Sequence, residues 1–567
     1  MNTLEQFKDV IESDPYEKLK IRVMQFLAMR NRESKSNATE LIAQYVLRNF
    51  TVKTTRDDNN SEVWWYNDGI YLPEGKSYIQ EICRDILQTA FTTQLVNETI
   101  AKISADTFVE QEDFFNIQND YYYLIPLQNG VLNIKTKELE QFSPEIPFFN
   151  KLPMQYDANK DCNTFLNFLN EIFEDKDCIN VIQELFGFCM LKQYRYEKSF
   201  MFEGKGRNGK SKLISVLKEF LGVSNCANIS LLDIEKNQFI LSSLHNKLVN
   251  ICSEISHEAL NNSGNFKSIT GRDQIQADRK FKTPIQFENY AKMIFAGNEL
   301  PYPKDNSSAF WQRWVLINFP FQFLPQKELD CLDEKDKTKV KLQNPSILDN
   351  LTTPDELSGI LNWALEGFKR LETNKDFSNN KSADQTKTEW MRKANSVIAF
   401  VNDHIKSDYD SCVVKSDFKK NYLMYCQAHK VKPLSDKVIK IALENELGAY
   451  HEQKYIREND ESKRLHVWSG ISYNQGNQDN QGISVLGKNI FSPGSQTPKF
   501  STSRWLKGGN KDTEIKNTES NISFYHKCKF CKSTKNVKMS SKNEPICEKC
   551  EKDFAFDDYK IGEVDIK

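Results

Sequence analysis

Nowhere in the 567 residues does an apolar run approach the ~18 residues needed to cross a bilayer. No helical membrane span is therefore expected. Glycine and proline are sparse, at 22 and 17 residues, too few for a fibrous or largely disordered chain. Excess charge is missing as well: 76 basic residues stand against 78 acidic ones, a net of −2. That excludes a polycation coating nucleic acid, so any such contact must come from local basic patches. The opening Met1-Asn2-Thr3-Leu4-Glu5 has no basic stretch leading into an apolar one. No secretory signal is expected, and the cytoplasm is the expected location. With 39% hydrophobic and 27% charged residues, the chain has the make-up of ordinary folded protein, and its length suits roughly four folded units.

Cysteine is unevenly spread. Nine of the 13 are scattered singly from Cys83 to Cys426, which suits a reducing compartment. The other four form Cys528-x2-Cys531-x15-Cys547-x2-Cys550, the spacing of a four-thiolate Zn2+ site. Each Cys-x2-Cys turn presents two thiolates to one ion, and a module of ~25 residues with few apolar groups would not fold without it. Residues 527–553 thus read as a zinc ribbon. Its Lys529, Lys532, Lys535, Lys538 and Lys542 suit either nucleic acid or protein docking.

Periodicity divides the rest. Residues 1–150 read as an α+β module. In it, Val63–Tyr71 forms two strands around Asn67-Asp68-Gly69, and Leu124–Ile134 forms a hairpin closed by Asn129-Gly130. In 151–192, Phe165, Phe168, Leu169, Ile172 and Phe173 fall on one helical face, and a second helix runs from about Ile179 to Leu191. Residues 193–325 form the core. Residues 326–385 begin with a charged stretch and contain a helix over Leu357–Leu371. Residues 386–473 form a further unit, 474–526 a polar linker and 554–567 a tail.

Chemistry concentrates in the core. Gly204-Lys205-Gly206-Arg207-Asn208-Gly209-Lys210-Ser211 matches G-x-x-x-x-G-K-[ST]. The apolar run Phe200–Phe202 precedes it. Leu213, Val216, Leu217 and Phe220 mark a helix after it, which completes the strand–loop–helix such a loop needs. Backbone N–H groups of Gly204, Gly206, Arg207, Asn208 and Gly209 would converge on phosphate oxygens. Lys210 would reach the β- and γ-phosphates of ATP and Ser211 would ligate Mg2+. An apolar strand, Lys247–Cys252, leads to Glu254, 43 residues after Ser211; a carboxylate there can polarise water and help hold Mg2+. A third strand, Met293–Ala296, leads to Asn298, which could orient the attacking water. Fifteen residues on, Arg313 could neutralise transition-state charge.

This order of blocks resembles the superfamily 3 helicases, in the branch of the phage and plasmid primase-helicases and the poxvirus primase-helicase. It rests on Gly204–Ser211, Leu248–Glu254, Lys267–Asp273, Ile294–Pro301, Phe310–Phe319 and Glu356–Gly367. The resemblance implies an α/β fold, a P-loop NTPase core of the AAA+-like superfamily 3 kind. It also implies 151–192 as a helical collar and 326–385 as a helical lid. The implied assembly is a homo-hexameric ring with a single DNA strand in its central pore and ATP between subunits. Lys210 is then the phosphate-binding lysine, Glu254 the acid at the strand end, Asn298 the sensor and Arg313 a finger from the neighbour. The segment between Lys267 and Phe287 resembles the pore hairpin, whose Arg279, Lys280, Phe281 and Lys282 suit a single-stranded backbone with a base stacked on Phe281. Many relatives carry paired acids where Ser253 precedes Glu254 here, with Asp273 a second candidate. No spaced pair of strand aspartates marks a primase in residues 1–150, so a helicase without primer synthesis is expected.

Residues 415–473 have the order of a winged helix: a helix over Lys415–His429, a second from Ser435, then strands His451–Ile456 and Arg464–Trp468. Lys437 and Lys440 on the second helix would meet duplex phosphates, although protein contact fits the same frame. The leading expectation is an ATP-dependent DNA helicase in replication of a virus, plasmid or integrated mobile element. Two alternatives are an ATP-gated origin-binding initiator or scaffold with little unwinding, and a primase-helicase.

Overall fold

A computed structural model describes residues 14–57, 60–115, 119–253, 255, 263–280, 282–301, 303, 305, 307–333, 337–429, 431, 433–458, 461–474, 537–539 and 545–547. The chain divides into two compact units, Met1–Ile490 and Phe491–Lys567. No helix among the described residues is long and apolar enough to cross a membrane.

Helices α1 (Pro15–Ala28) and α2 (Arg32–Asn49) open the first unit. Each starts on a side-chain cap, Asp14 accepting from the Tyr16 N–H and Asn31 from that of Ser34. With α3 (Gly75–Leu87) and α4 (Thr93–Asp106) they bury Val23, Ile42, Val46, Ile79 and Ile86. Beside them lie β1 (Val52–Thr55), β2 (Val63–Asn67), β3 (Ile70–Leu72) and β4 (Phe108–Val109), in sheet order β3-β2-β1-β4. The β2–β3 turn has positive φ at Asp68 and Gly69, as its Asn-Asp-Gly sequence requires. A second small sheet holds β5 (Leu124–Leu127), β6 (Gly130–Asn133) and β7 (Leu139–Glu140), with Leu127 opposite Gly130 at the expected turn.

Helices α5 (Asn163–Ile172) and α6 (Lys176–Met190) follow, and the stripe Phe165, Phe168, Leu169, Ile172 is buried as its spacing predicts. The core sheet is built from β8 (Ser199–Glu203), β9 (Cys226–Ala227), β10 (Val249–Cys252), β13 (Lys292–Gly297) and β14 (Trp314–Asn318), with α7 (Lys210–Leu221) after β8. All pairings are parallel, in the order β14-β8-β13-β10-β9. Phe200, Met201, Phe202 and every residue of β13 are buried, the continuous apolar run of a sheet covered on both faces. The chain leaves β8, returns through β10 to β13 on one flank, then crosses to β14 on the other. That reversal opens a crevice beyond the carboxyl ends of β8 and β13.

Between β10 and β13 lie α8 (Gly264–Thr270) and a hairpin of β11 (Gln274–Arg279) and β12 (Lys282–Glu288). Ile275, Ala277, Ile285 and Phe287 point inward, while Gln274, Gln276 and Gln286 face water. After β14 come the parallel pair β15 (Gln322–Leu324) and β16 (Val340–Leu342), and then α9 (Pro354–Asn374). This helix lies against α6 where glycines face backbone. A Cβ on Gly187 would sit 2.7 Å from the Ala364 carbonyl, and one on Gly367 would strike the Gln183 carbonyl. The 326–385 segment therefore shares the core of the 151–192 helices.

Helix α10 (Ala383–Ala394) buries Trp390 in that same core and ties its indole N–H to the Pro301 carbonyl at 2.8 Å. A separate core begins at Val397. It is formed by α11 (Ser396–His404), β17 (Ile405–Val414), α12 (Lys415–Ala428), α13 (Asp436–Leu447), β18 (Tyr450–Glu458) and β19 (Glu461–Tyr473), with antiparallel sheet order β17-β19-β18. In the second unit the described residues form one antiparallel hairpin, β20 (Val537–Met539) with β21 (Pro545–Cys547).

Candidate functional site

The crevice at the carboxyl end of β8 is shaped by backbone that few residues tolerate. Gly204 has φ +155, Arg207 +60 and Gly209 +91. A Cβ on Gly204 would meet the Asn208 amide and lie 2.7 Å from the Phe319 carbonyl. A Cβ on Gly209 would lie 2.6 Å from Ile172 of α5. Gly206 has open space around it, so it adds freedom rather than fit. The chain then enters α7 at Lys210 with Gly209, which has no side chain to offer, at the cap position. A helix start after a glycine turn offers convergent donors and a positive dipole end to an anion.

Lys210 is buried, at 7% exposure. Its ammonium donates to the Gly204 carbonyl and, at 3.2 Å, to Asn298 Oδ1. Asn298 follows β13, the strand hydrogen-bonded to β8, so two residues 88 positions apart meet across adjacent strand ends. Burial pushes the Lys210 ammonium down to about 8, against the pull of Glu203. Asn208 gives its carbonyl oxygen to the Lys210 N–H at 3.3 Å, while its Nδ2 is buried with no hydrogen-bond partner. A buried donor without an acceptor, beside a buried cation and open N–H groups, fits a phosphate oxygen. Arg207 turns outward instead, pairing with Glu328 at 2.6 Å, and its carbonyl accepts the Phe323 N–H at 2.7 Å.

Ser211 lies at the loop's outer end and lines a cavity of about 200 Å³ with Gly209 and Lys212. Phe168, Phe323, Leu342 and Ile347 make its apolar wall, and Glu171, Gln343 and Asn344 its polar edge. Apolar walls with a few polar groups, directly beside a phosphate-type loop, suit the flat ring of a nucleotide base. These wall residues carry no local motif; they come from α5, β15, β16 and the start of a short helix, Ile347–Leu351. Glu254 lies outside the described residues. The strand leading toward it, β10, ends at Cys252 and is paired to β13.

Arg313 lies at the other edge of the sheet. It precedes Trp314, which pairs with Ser199 at the start of β8, and its carbonyl accepts the Ser199 N–H at 2.6 Å. One strand of five residues, about 16 Å at ~3.3 Å per residue, therefore separates it from the end of β8 where the loop begins. Its guanidinium donates to Thr270 Oγ1 at 2.9 Å and to the Ala309 carbonyl at 2.6 Å, and pairs with Glu197 at 3.1 Å.

The expected basic tip is the β11–β12 hairpin. Arg279 and Lys282 sit opposite each other in its register, and both pair with Glu62 of the N-terminal sheet region. Lys280 is exposed and Phe281 lies outside the described residues. Lys437 and Lys440 are exposed on α13, with Lys440 at 3.7 Å from Glu444. Cys528, Cys531 and Cys550 lie outside the described residues, and Cys547 ends β21. Among the described residues no cluster of three metal-binding side chains occurs.

Fold and loop together define an α/β protein with a parallel sheet and a glycine-rich loop of phosphate-binding type after its β8 strand. A family model described as "Family of unknown function (DUF5906)" matches residues 202–313, and one described as "D5 N terminal like" matches residues 30–174. A protein of Acanthamoeba polyphaga mimivirus named "Putative helicase L207/L206" is 27% identical over 286 residues, 49% of this chain and 28% of its own. One of Sputnik virophage named "Putative helicase V13" is 21% identical over 458 residues, 77% of this chain and 53% of its own. The chain thus spans about a quarter to a half of these relatives. Among solved structures, the apo NrS-1 C-terminal region covers 76% of this chain and 98% of its own at 14% identity, with a TM-score of 0.38. Over these stretches the chain is similar to viral proteins named as putative helicases.

Proposed function

We propose that the chain is an ATP-driven DNA translocase and helicase, working as a homo-hexameric ring in replication of a virus, plasmid or integrated element. The observation that carries this reading is the meeting of Lys210 and Asn298 at 3.2 Å across adjacent strand ends. The helix start and the glycine loop hold the triphosphate, Lys210 lies against its terminal phosphates, and the base rests between Phe168 and Phe323. Asn298 aligns water for in-line attack on the γ-phosphorus. The bond to the bridging oxygen breaks, and Glu254 accepts the water's proton. Ser211 and Glu254 would hold Mg2+, which would neutralise charge on the phosphates. Arg313, a strand length from its own loop, serves the neighbour's site. The β11–β12 hairpin grips a single strand through Arg279, Lys280, Phe281 and Lys282.

At the C-terminal end, the order α11-β17-α12-α13-β18-β19 and the sheet order β17-β19-β18 support a winged helix, with Lys437 and Lys440 toward duplex phosphates. The Cys528, Cys531, Cys547 and Cys550 spacing supports a Zn2+ ribbon. Lys210→Ala is expected to abolish both ATP hydrolysis and separation of a forked duplex. A Lys210→Ala protein that unwinds the fork at the wild-type rate would overturn the reading. Fork unwinding with no product from labelled ribonucleotides separates it from a primase-helicase. Tight duplex binding without unwinding would favour the initiator reading.

A further inference from the structure

The hairpin that the proposed function turns toward DNA is not presented empty. Its two facing cations converge on one carboxylate oxygen: Arg279 Nη1 lies 3.0 Å and Lys282 Nζ 2.7 Å from Glu62 Oε1. Asn60 Nδ2 reaches Thr283 Oγ1 at 3.4 Å. Glu62 is 217 positions away in sequence from Arg279, just ahead of β2, so its presence is a tertiary choice. Arg279 Nε is also held, donating to the Thr283 carbonyl at 3.0 Å, which leaves Nη1 aimed at the carboxylate. One oxyanion bridging an arginine and a lysine is the arrangement in which a backbone phosphate is bound.

The contact has two ends of different character. At the hairpin's base, half-buried His245 stands between Phe115 of the N-terminal module and Phe287 of β12, with ring centroids 5.1 Å from each. Desolvation and the nearby Arg279 push the His245 imidazole down to about 4, so it is a neutral aromatic spacer near pH 7. Toward the tip, the Lys282 side chain is 54% exposed and its pairing with Glu62 is open to exchange with solvent. The base is an apolar anchor and the tip an ionic latch.

We propose that Arg279 and Lys282 form a phosphate site of the hairpin, and that Glu62 fills it in the strand-free protein as a built-in competitor of single-stranded nucleic acid. A strand must displace the Glu62 carboxylate to bind, and the hairpin tip is released from the N-terminal module when it does. This inference rests on the reading of the hairpin as a nucleic-acid element.

The test uses the full chain and a fluorescently labelled oligothymidylate, with anisotropy read at several salt concentrations. Glu62→Gln is expected to tighten binding about two- to tenfold, the scale of one or two partly exposed ion pairs. The slope of log affinity against log salt should stay constant, because the same phosphates are neutralised. Glu110→Gln, which removes an equal charge from the same module at a pair with Arg56, is expected to change little. The double variant Arg279→Ala/Lys282→Ala should weaken binding and make Glu62→Gln silent. If the double variant binds as wild type, the hairpin reading itself fails. If the double variant weakens binding but Glu62→Gln leaves affinity unchanged or lowers it, the latch alone fails. An equal gain from Glu110→Gln would reduce Glu62 to a general field effect and also overturn the latch.

Discussion

In the proposed reading Lys210 holds phosphate as an ammonium, yet its side chain is buried. Its pKa falls from an ordinary 10.5 to about 8. Between those values the unfolded chain binds a proton at this position that the native chain does not, so the fold gains stability from Lys210 as pH rises from about 8 to 10.5. Nucleotide works in the opposite direction, since phosphate favours the ammonium. ATP affinity is therefore expected to fall as pH rises through about 8, with proton uptake on binding. In Lys210→Arg the pH dependence should flatten, because guanidinium stays charged. Calorimetric titration in buffers of different ionisation enthalpy checks both. Glu184 is buried for another reason. It is fully enclosed and accepts from Arg370 Nε at 2.7 Å, the Ser378 N–H at 2.7 Å and Ser378 Oγ at 2.6 Å. Glu184→Ala leaves the guanidinium without its carboxylate and is expected to cost about 3–5 kcal/mol, read as a lower midpoint in urea unfolding followed by circular dichroism.

Among the elements, the crossing of α6 and α9 is set by missing side chains. Gly367→Leu would drive a side chain into the Gln183 carbonyl, so the helices must separate. The expected loss is about 1–3 kcal/mol, measurable as a lower thermal midpoint with the nucleotide loop sequence untouched. Elements like α5 were legible because Phe165, Phe168, Leu169 and Ile172 repeat at the helical period. The loop was legible because glycine at positive φ, lysine and serine are local chemistry. Strand β9 was not, since two residues, Cys226 and Ala227, carry no period. The strand expected over Lys247–Cys252 begins at Val249, one turn residue later than its apolar pattern, because Leu248 is buried from a loop. β17 was missed because its burial is irregular and its pairing with β19 shifts between Ser407 and Cys412. The base cavity and the Glu62 contact were illegible because each joins segments far apart in sequence: one end lies in a recognisable loop or basic hairpin, but the other, Phe168, Phe323 and Leu342 in the one case and Glu62 in the other, has no motif of its own.

In the whole molecule, the loop and Arg313 stand at opposite ends of β8. A guanidinium held by Thr270, the Ala309 carbonyl and Glu197 cannot also lie on its own chain's γ-phosphate. If it acts in hydrolysis, it acts on another copy, and the two copies must meet head to tail, loop edge against arginine edge. Such an interface repeats into a ring when its rotation closes. Defects on its two sides should then complement. Arg313→Ala keeps a sound loop but offers no finger, and its hydrolysis is expected to fall by about 10³–10⁵. Lys210→Ala keeps a sound finger but no loop. In an equimolar mixture allowed to reassemble, one interface type in about four joins a sound loop to a sound finger, so ATPase activity should climb to about a quarter of wild type. The rise should trace a maximum near equal proportions and vanish at either end of a mixing series. A flat line across that series, with assembly confirmed by light scattering, would mean that the two residues do not share a site between copies.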